Sequence, residues 1–165
     1  MSEALKIIPT DTDVKTGIRD SEAIAKGLAD ILSDTYSLLL KTHAYHWNVE
    51  GPLFYAMHNL TEEQYGDMFE ATDVLAERIR ALGHLAPMKI ADIVETSVIT
   101  DLDGTPSAGD MASDLAGDHE RVAHRLRALI EIAEARKDAV TADLATARAA
   151  FHEKAAWMLR SIAAA

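Results

Sequence analysis

The chain of 165 residues contains no cysteine. That absence removes disulfides, thiolate metal sites, iron–sulfur clusters and thiol nucleophiles, so any metal must be held by His, Asp and Glu. Such donors suit hard and borderline ions. No uninterrupted apolar run approaches the roughly 20 residues of a membrane span, and the opening MSEALKIIPTDTD lacks the basic-then-apolar order of a signal peptide. The expectation is a cytoplasmic protein with no membrane partner. Basic charge is also scarce: 16 Lys and Arg stand against 27 Asp and Glu, a formal net charge of −11. Wide contact with nucleic acid depends on Lys and Arg displacing counterions from phosphates, so this balance argues against it. Nucleotide and hydrolase signatures are missing as well: GxGxxG, a phosphate-binding P-loop and G-x-S-x-G do not occur.

What the chain does have is helix-forming composition, rich in Ala, Leu, Glu and Arg and poor in β-branched alternation. Its four prolines, Pro9, Pro52, Pro87 and Pro106, cut that material into pieces, because proline suits a first turn and not a helix interior. Residues 1–19 read as an extended or mobile arm, and residues 20–165 as one all-α domain. A first helix starts near Asp20 or Ser21 and ends near Val49. After a turn at Gly51 and Pro52, a second runs from about Leu53 to Leu82, with Gly83 as a left-handed cap. KIADIVETS makes a short helix in an otherwise irregular stretch, and Pro106 or Ser107 opens the next long one. The third long helix spans about Ala108 to Arg136 and the fourth about Val140 to Ile162. Four long helices with a long connection between the second and third define a four-helix bundle with a crossover of the ferritin-like kind, the short helix lying in that crossover.

The second helix carries a constellation. At about 100° per residue, with His58 at zero, Glu62 falls near 40°, Asp73 near 60° and Glu77 near 100°, all on one narrow face. Solvated acidic faces produce such patterns too. Glu62 and Asp73 are separated by roughly 16 Å along the axis, so one ion, with bonds of about 2 Å, cannot touch both. One chain therefore offers two half-sites, His58 with Glu62 and Asp73 with Glu77. An antiparallel copy of the same helix, related by a two-fold axis near Gly66 and Asp67, sets each half-site against its complement. Gly66 either permits that close approach or merely relieves local crowding. His43 and His46 lie on one face of the first helix just before the Gly51 and Pro52 turn, which brings them back toward His58. Neither the Glu-x-x-His pattern of intrachain di-iron bundles nor HExxH is present, and His119 and His124, in HERVAH, read as surface or core histidines.

KTHAYHWNVEGPLFYAMH and EATDVLAERIRALG resemble the Dps family of ferritin-like proteins, in which a histidine precedes Trp-Asn, a second follows twelve residues on, an acidic residue comes four later, and Asp-x-x-x-Glu-Arg follows. The matching positions are His46, His58, Glu62, Asp73 and Glu77; the third is most often Asp in the family, and Glu62 is one methylene longer. The resemblance implies a hollow dodecamer with ferroxidase sites at two-fold interfaces, three ligands from one subunit and two from its mate. Fe(II) would be oxidised there by hydrogen peroxide, or less readily by dioxygen, and stored as ferric mineral; zinc or manganese could substitute for iron. It also assigns candidates elsewhere: Trp47 to pack the site shut or give up an electron, Asp138 and Asp143 to acidic pores, Glu63 to mineral nucleation. His43 stands as a ligand or as a neighbour of one. Members that bind DNA usually do so through a lysine-rich tail, and here Lys6, Lys15 and Arg19 are opposed by Glu3, Asp11, Asp13 and Asp20, so DNA binding is expected to be weak or absent. Two other readings stay open beside iron storage: a nucleoid-compacting assembly, and a structural bundle whose polar residues bind nothing.

Overall fold

In the computed structural model, which describes residues 3–164, a short 3-10 turn at Glu3–Lys6 precedes five α-helices. These are α1 (Glu22–Asn48), α2 (Phe54–Ala81), α3 (Ile90–Thr96), α4 (Ala108–Ala135) and α5 (Ala139–Ala163). No strand occurs among the described residues. The four long helices form the expected all-α bundle, and α3 sits in the crossover between α2 and α4.

Local chemistry accounts for the boundaries. Ser107 and Asp110 form a reciprocal capping box at the start of α4, satisfying two backbone N–H groups that no helical carbonyl can reach. The α2 terminus closes on Gly83, whose φ of +97° is the left-handed region that favours glycine. A Cβ there would also meet the Thr12 carbonyl oxygen at 3.1 Å. The N-terminal segment docks at this point: the Thr12 N–H donates to the Gly83 carbonyl (3.0 Å) and Arg80 donates to the Thr10 carbonyl (3.2 Å). Ser21, just ahead of α1, donates to the Leu82 carbonyl and pairs with His84, tying the start of α1 to the end of α2.

Each long helix turns an apolar stripe inward. Leu28 and Leu38 of α1, Met57 and Leu75 of α2, Leu115 and Leu126 of α4 and Leu159 of α5 are fully buried, each worth about 1.5–3 kcal/mol relative to exposure. Gly27 lets α1 and α4 approach, since a Cβ there would lie 2.8 Å from Leu129 Cδ1. Gly66, the glycine singled out from the sequence, has nothing within 4 Å of such a Cβ.

Polar rungs fix the register between α1 and α4. Asp34 accepts from Arg125, Lys41 contacts Asp114 and Asp118, and the Tyr45 hydroxyl donates to Asp114. Asp34 also accepts from the Val98 N–H, and Lys41 donates to the Thr100 carbonyl, so the same rungs hold the crossover down. Burial keeps the Asp34 and Asp118 carboxyls above the ordinary carboxylate range even beside these cations. Removing one partner would strand a buried charge at a cost of about 3–5 kcal/mol.

Candidate metal centre

The turn between α1 and α2 is short, and Gly51 (φ +85°) makes it possible. The reversal stacks His46 on His58, ring centroids 3.8 Å apart and 18° from parallel. Their main chains lock the arrangement reciprocally: His46 Nδ1 donates to the His58 carbonyl (2.9 Å), and His58 Nδ1 donates to the His46 carbonyl (3.0 Å). A carbonyl only accepts, so both Nδ1 atoms carry protons, and in the neutral rings both Nε2 atoms keep their lone pairs. Fixing one ring nitrogen on a carbonyl to present the other is how proteins orient a metal-binding imidazole. His46 is nearly buried and His58 half-buried, which restricts the rings further.

Around this pair stands an aromatic wall. Tyr65 meets His46 edge-on at 5.2 Å and also packs on His43 at 4.4 Å, while Phe54 stacks on His58 at 5.0 Å. His43 lies between Tyr65 and Trp47, whose ring is 4.1 Å away. Trp47 is 66% exposed, so within one protomer it closes nothing.

The three carboxylates lie further along the outer face of α2. Glu62, Asp73 and Glu77 are exposed, and none takes part in a hydrogen bond or ion pair with another described residue. By contrast Asp67, between them, is held by Arg148 of α5. Among the described residues no three metal-capable side chains converge within the protomer. The structure thus brings His46 and His58 together and leaves Glu62, Asp73 and Glu77 unengaged. Beside them, α1, α2 and α3 enclose a groove of about 1010 Å³ with largely apolar walls, which Leu40, Phe69, Val74, Ile90 and Val94 share with Asp73. Phe69 is 64% exposed and Ile90 82%, an unusual investment of large apolar side chains in contact with water.

The pore assignment of Asp138 is overturned. Its side chain is 1% exposed and caps α5 by accepting from the Thr141 N–H and hydroxyl, while Arg78 pairs with it at 2.7 Å. Burial opposes its ionisation, but the Thr141 hydrogen bonds and the Arg78 guanidinium hold the carboxyl below its ordinary value. Asp143 and Glu63 are exposed. His119 is core and His124 is surface.

Two polar features escaped the sequence reading. The first is the α1–α4 network, which a matched spacing signals: Asp34 and Lys41 are seven residues apart, and so are Asp118 and Arg125, as complementary antiparallel rungs require. The second is a buried contact between His119 and His152, for which no local pattern exists.

The fold and its match to the ferritin-like domain family over residues 25–165 define the class: a ferritin-like helical bundle. Within that class the likeness is narrower. The chain is 34% identical over 124 residues to the DNA protection during starvation protein of Brevibacillus brevis, covering 75% of this chain and 83% of that one. It is 36% identical over 152 residues to a low temperature-induced protein of Nostoc sp. that is itself described as uncharacterized, covering 90% and 85%. Among solved structures, the Dps protein of Vibrio cholerae O1, described as a member of a broad superfamily of ferritin-like diiron-carboxylate proteins, superposes with a TM-score of 0.80 at 26% identity over 86% of this chain and 89% of that one. The chain belongs to the Dps family.

Proposed function

We propose that this protein oxidises Fe(II) at sites completed by two copies of the chain and stores the product as ferric mineral inside a closed homo-oligomeric shell. The observation that carries the reading is the His46–His58 lock, which engages both Nδ1 atoms and leaves two Nε2 atoms of one turn available as ligands while Glu62, Asp73 and Glu77 stand unpaired on the adjoining helix face. His46, His58 and Glu62 of one copy would meet Asp73 and Glu77 of another. The apolar groove beside Asp73 supplies the area that such a pairing would bury, and Gly66, open within the protomer, lies near the symmetry axis. The resemblance to Dps shells favours twelve copies.

In this reading iron is the substrate. Neutral imidazoles suit Fe(II), and carboxylates favour Fe(III), because the added charge strengthens a hard-ion contact. Few protein ligands leave coordination positions open for the oxidant. Two ferrous ions give one electron each to hydrogen peroxide, its O–O bond breaks, and hydrolysis to ferric oxyhydroxide releases four protons. Consuming peroxide and free Fe(II) together limits hydroxyl-radical formation. Zinc or manganese, which accept the same donors, would compete for the site.

The decisive experiment adds Fe(II) and then peroxide anaerobically, follows ferric absorbance, and measures particle mass in the same sample. Peroxide consumption near one per two irons by a particle of about twelve subunits is the expected result. A monomer with no oxidation above buffer would sink the proposal. DNA compaction is the rival reading, suggested by the name of the Brevibacillus brevis relative. The N-terminal segment speaks against it, since Lys15 lies against Asp13 and the overall charge is −11. Protection would then come from removing iron and peroxide, and a gel shift at low and moderate salt should show no retained DNA.

A further inference from the structure

The bundle interior holds a polar layer that the proposed iron chemistry does not use. Lys41 stands opposite Asp118, His46 opposite His58, and Asp67 opposite Arg148. That register brings Thr42 of α1, Gln64 of α2, His119 of α4 and His152 of α5 to about the same level. Gln64 is 3% exposed and the other three 0%. His119 and His152 touch through their Nδ1 atoms at 2.8 Å. Yet both Nε2 atoms, both amide atoms of Gln64 and the Thr42 hydroxyl are buried without a hydrogen-bond partner on the protein. Nε and one terminal nitrogen of Arg148, a turn away on α5, are in the same condition.

Unmet buried polar atoms each cost about 1–3 kcal/mol, and one such atom from every long helix at one level is not a packing accident. We propose that this layer is an internal water site, in which ordered water molecules bridge His119, His152, Gln64 and Thr42 and the two histidines are fixed as opposite neutral tautomers. The Nδ1–Nδ1 contact dictates the tautomers. One Nδ1 must carry a proton and the other must not, so the first ring has a bare Nε2 and the second an Nε2–H. One water donates to the bare Nε2 and a second accepts from the Nε2–H of the other ring, and the Gln64 amide offers the same two roles. A buried water typically makes about three hydrogen bonds, which these groups supply. Burial beside Arg148 drives the His119 pKa down to about 3 and that of His152 in the same direction, so both rings are neutral near pH 7.

A metal ion does not fit. With the Nδ1 atoms facing each other and the ring centroids 5.0 Å apart, the Nε2 atoms lie on the far sides of the rings, beyond the roughly 4 Å that two bonds of about 2 Å would span. No carboxylate is free in the layer, because buried Asp118 is held by Lys41 and Arg121. A cleft of about 210 Å³ between α2 and α5, lined by Gln64, Asp67, Phe151 and Lys154, adjoins the layer at Gln64.

The test is magic-angle-spinning NMR of the whole assembled protein with 15N-labelled histidine. Coupling between nitrogens across the hydrogen bond identifies the pair among the seven histidines. The expected spectrum has one Nδ1–H and one Nε2–H ring, unchanged between pH 7.5 and 5, each receiving magnetisation from water. Gln64→Met should weaken that water transfer at least twofold while leaving both tautomers in place. An imidazolium in the pair at pH 7, two identical tautomers, or no transfer from water in the wild-type protein would each overturn the proposal. So would a shift of either Nε2 on adding Zn(II), which would make the layer a metal site.

Discussion

The molecule builds two histidine pairs in direct contact, and they are built to opposite ends. In the α1–α2 turn each Nδ1 is fixed by the other residue's carbonyl, and the Nε2 lone pairs are the free ends. Between α4 and α5 the Nδ1 atoms hold each other, and the free ends lie fully buried. The first pair adjoins exposed carboxylates on its own helix face; the second has none within reach. The difference teaches that contact between histidines does not make a metal site. What matters is which nitrogen the main chain takes, and what charge stands ready to join the other.

The largest expected consequence is in acid stability. A histidine whose pKa falls on folding is stabilising above its unfolded value of 6.5 and loses that contribution as pH drops toward its folded value, about 3 for His119. The sign follows because the unfolded chain takes up protons that the folded one refuses, at about 1.4 kcal/mol per pH unit for each fully titrating histidine. His119 alone removes roughly 2–3 kcal/mol between pH 6.5 and 4.5, and His152, whose pKa burial shifts in the same direction, adds to that fall. The double variant His119→Leu with His152→Leu should flatten the fall of the thermal midpoint over that range, a difference of at least about 5 °C. Parallel pH profiles for the two proteins would show that the buried pair is not what resists protonation.

Next in size is the iron oxidation proposed for the outer pair. Asp73→Ala should slow peroxide-driven iron oxidation about 10- to 100-fold, the loss usual for an important group at a metal centre, with the particle mass unchanged. The interior double variant should keep its rate within about twofold. If Asp73→Ala oxidises iron normally, the carboxylates of α2 are solvated charge and the proposed site lies elsewhere. If the interior variant loses activity while still assembled, the separation of the two pairs is wrong.

The sequence made one of these regions legible and hid the other, for physical reasons. His58, Glu62, Asp73 and Glu77 share a face of α2 by helical period alone, and the turn brings His43 and His46 back toward them, whereas the choice of His46 over His43 comes from the family resemblance. Helix boundaries fell within a residue or two because Ser107, Pro52 and Gly83 are local signals that act where they stand. The contact of His119 with His152 depends on the registry of α4 against α5, 33 residues apart, and registry is set by packing. Asp138 misled for a related reason: an acidic residue beside a turn reads as surface, but Arg78, 60 residues away, turns it into a buried cap. Gly27 and Gly66 look alike in the sequence, yet only Gly27 meets a neighbouring helix inside the protomer.

Gly66 gives the smallest and sharpest test of where the outer pair would find the further ligands proposed for it. It sits within α2 at an exposed position, and nothing in its own chain lies within 4 Å of an added Cβ. By helix propensity alone, Gly66→Ala should stabilise the protomer by up to about 1 kcal/mol. Gly117 of α4, equally open, provides the control, and Gly117→Ala should raise the thermal midpoint with no change in assembly. If a second copy closes against α2 at Gly66, Gly66→Ala must instead weaken association, measured as a fall in particle mass on dilution, and slow iron oxidation in proportion to the loss of paired subunits. A Gly66→Ala protein that is more stable, fully assembled and fully active would place the two-fold contact away from this glycine, and Asp73 and Glu77 would lose the partner that brings them to His46 and His58.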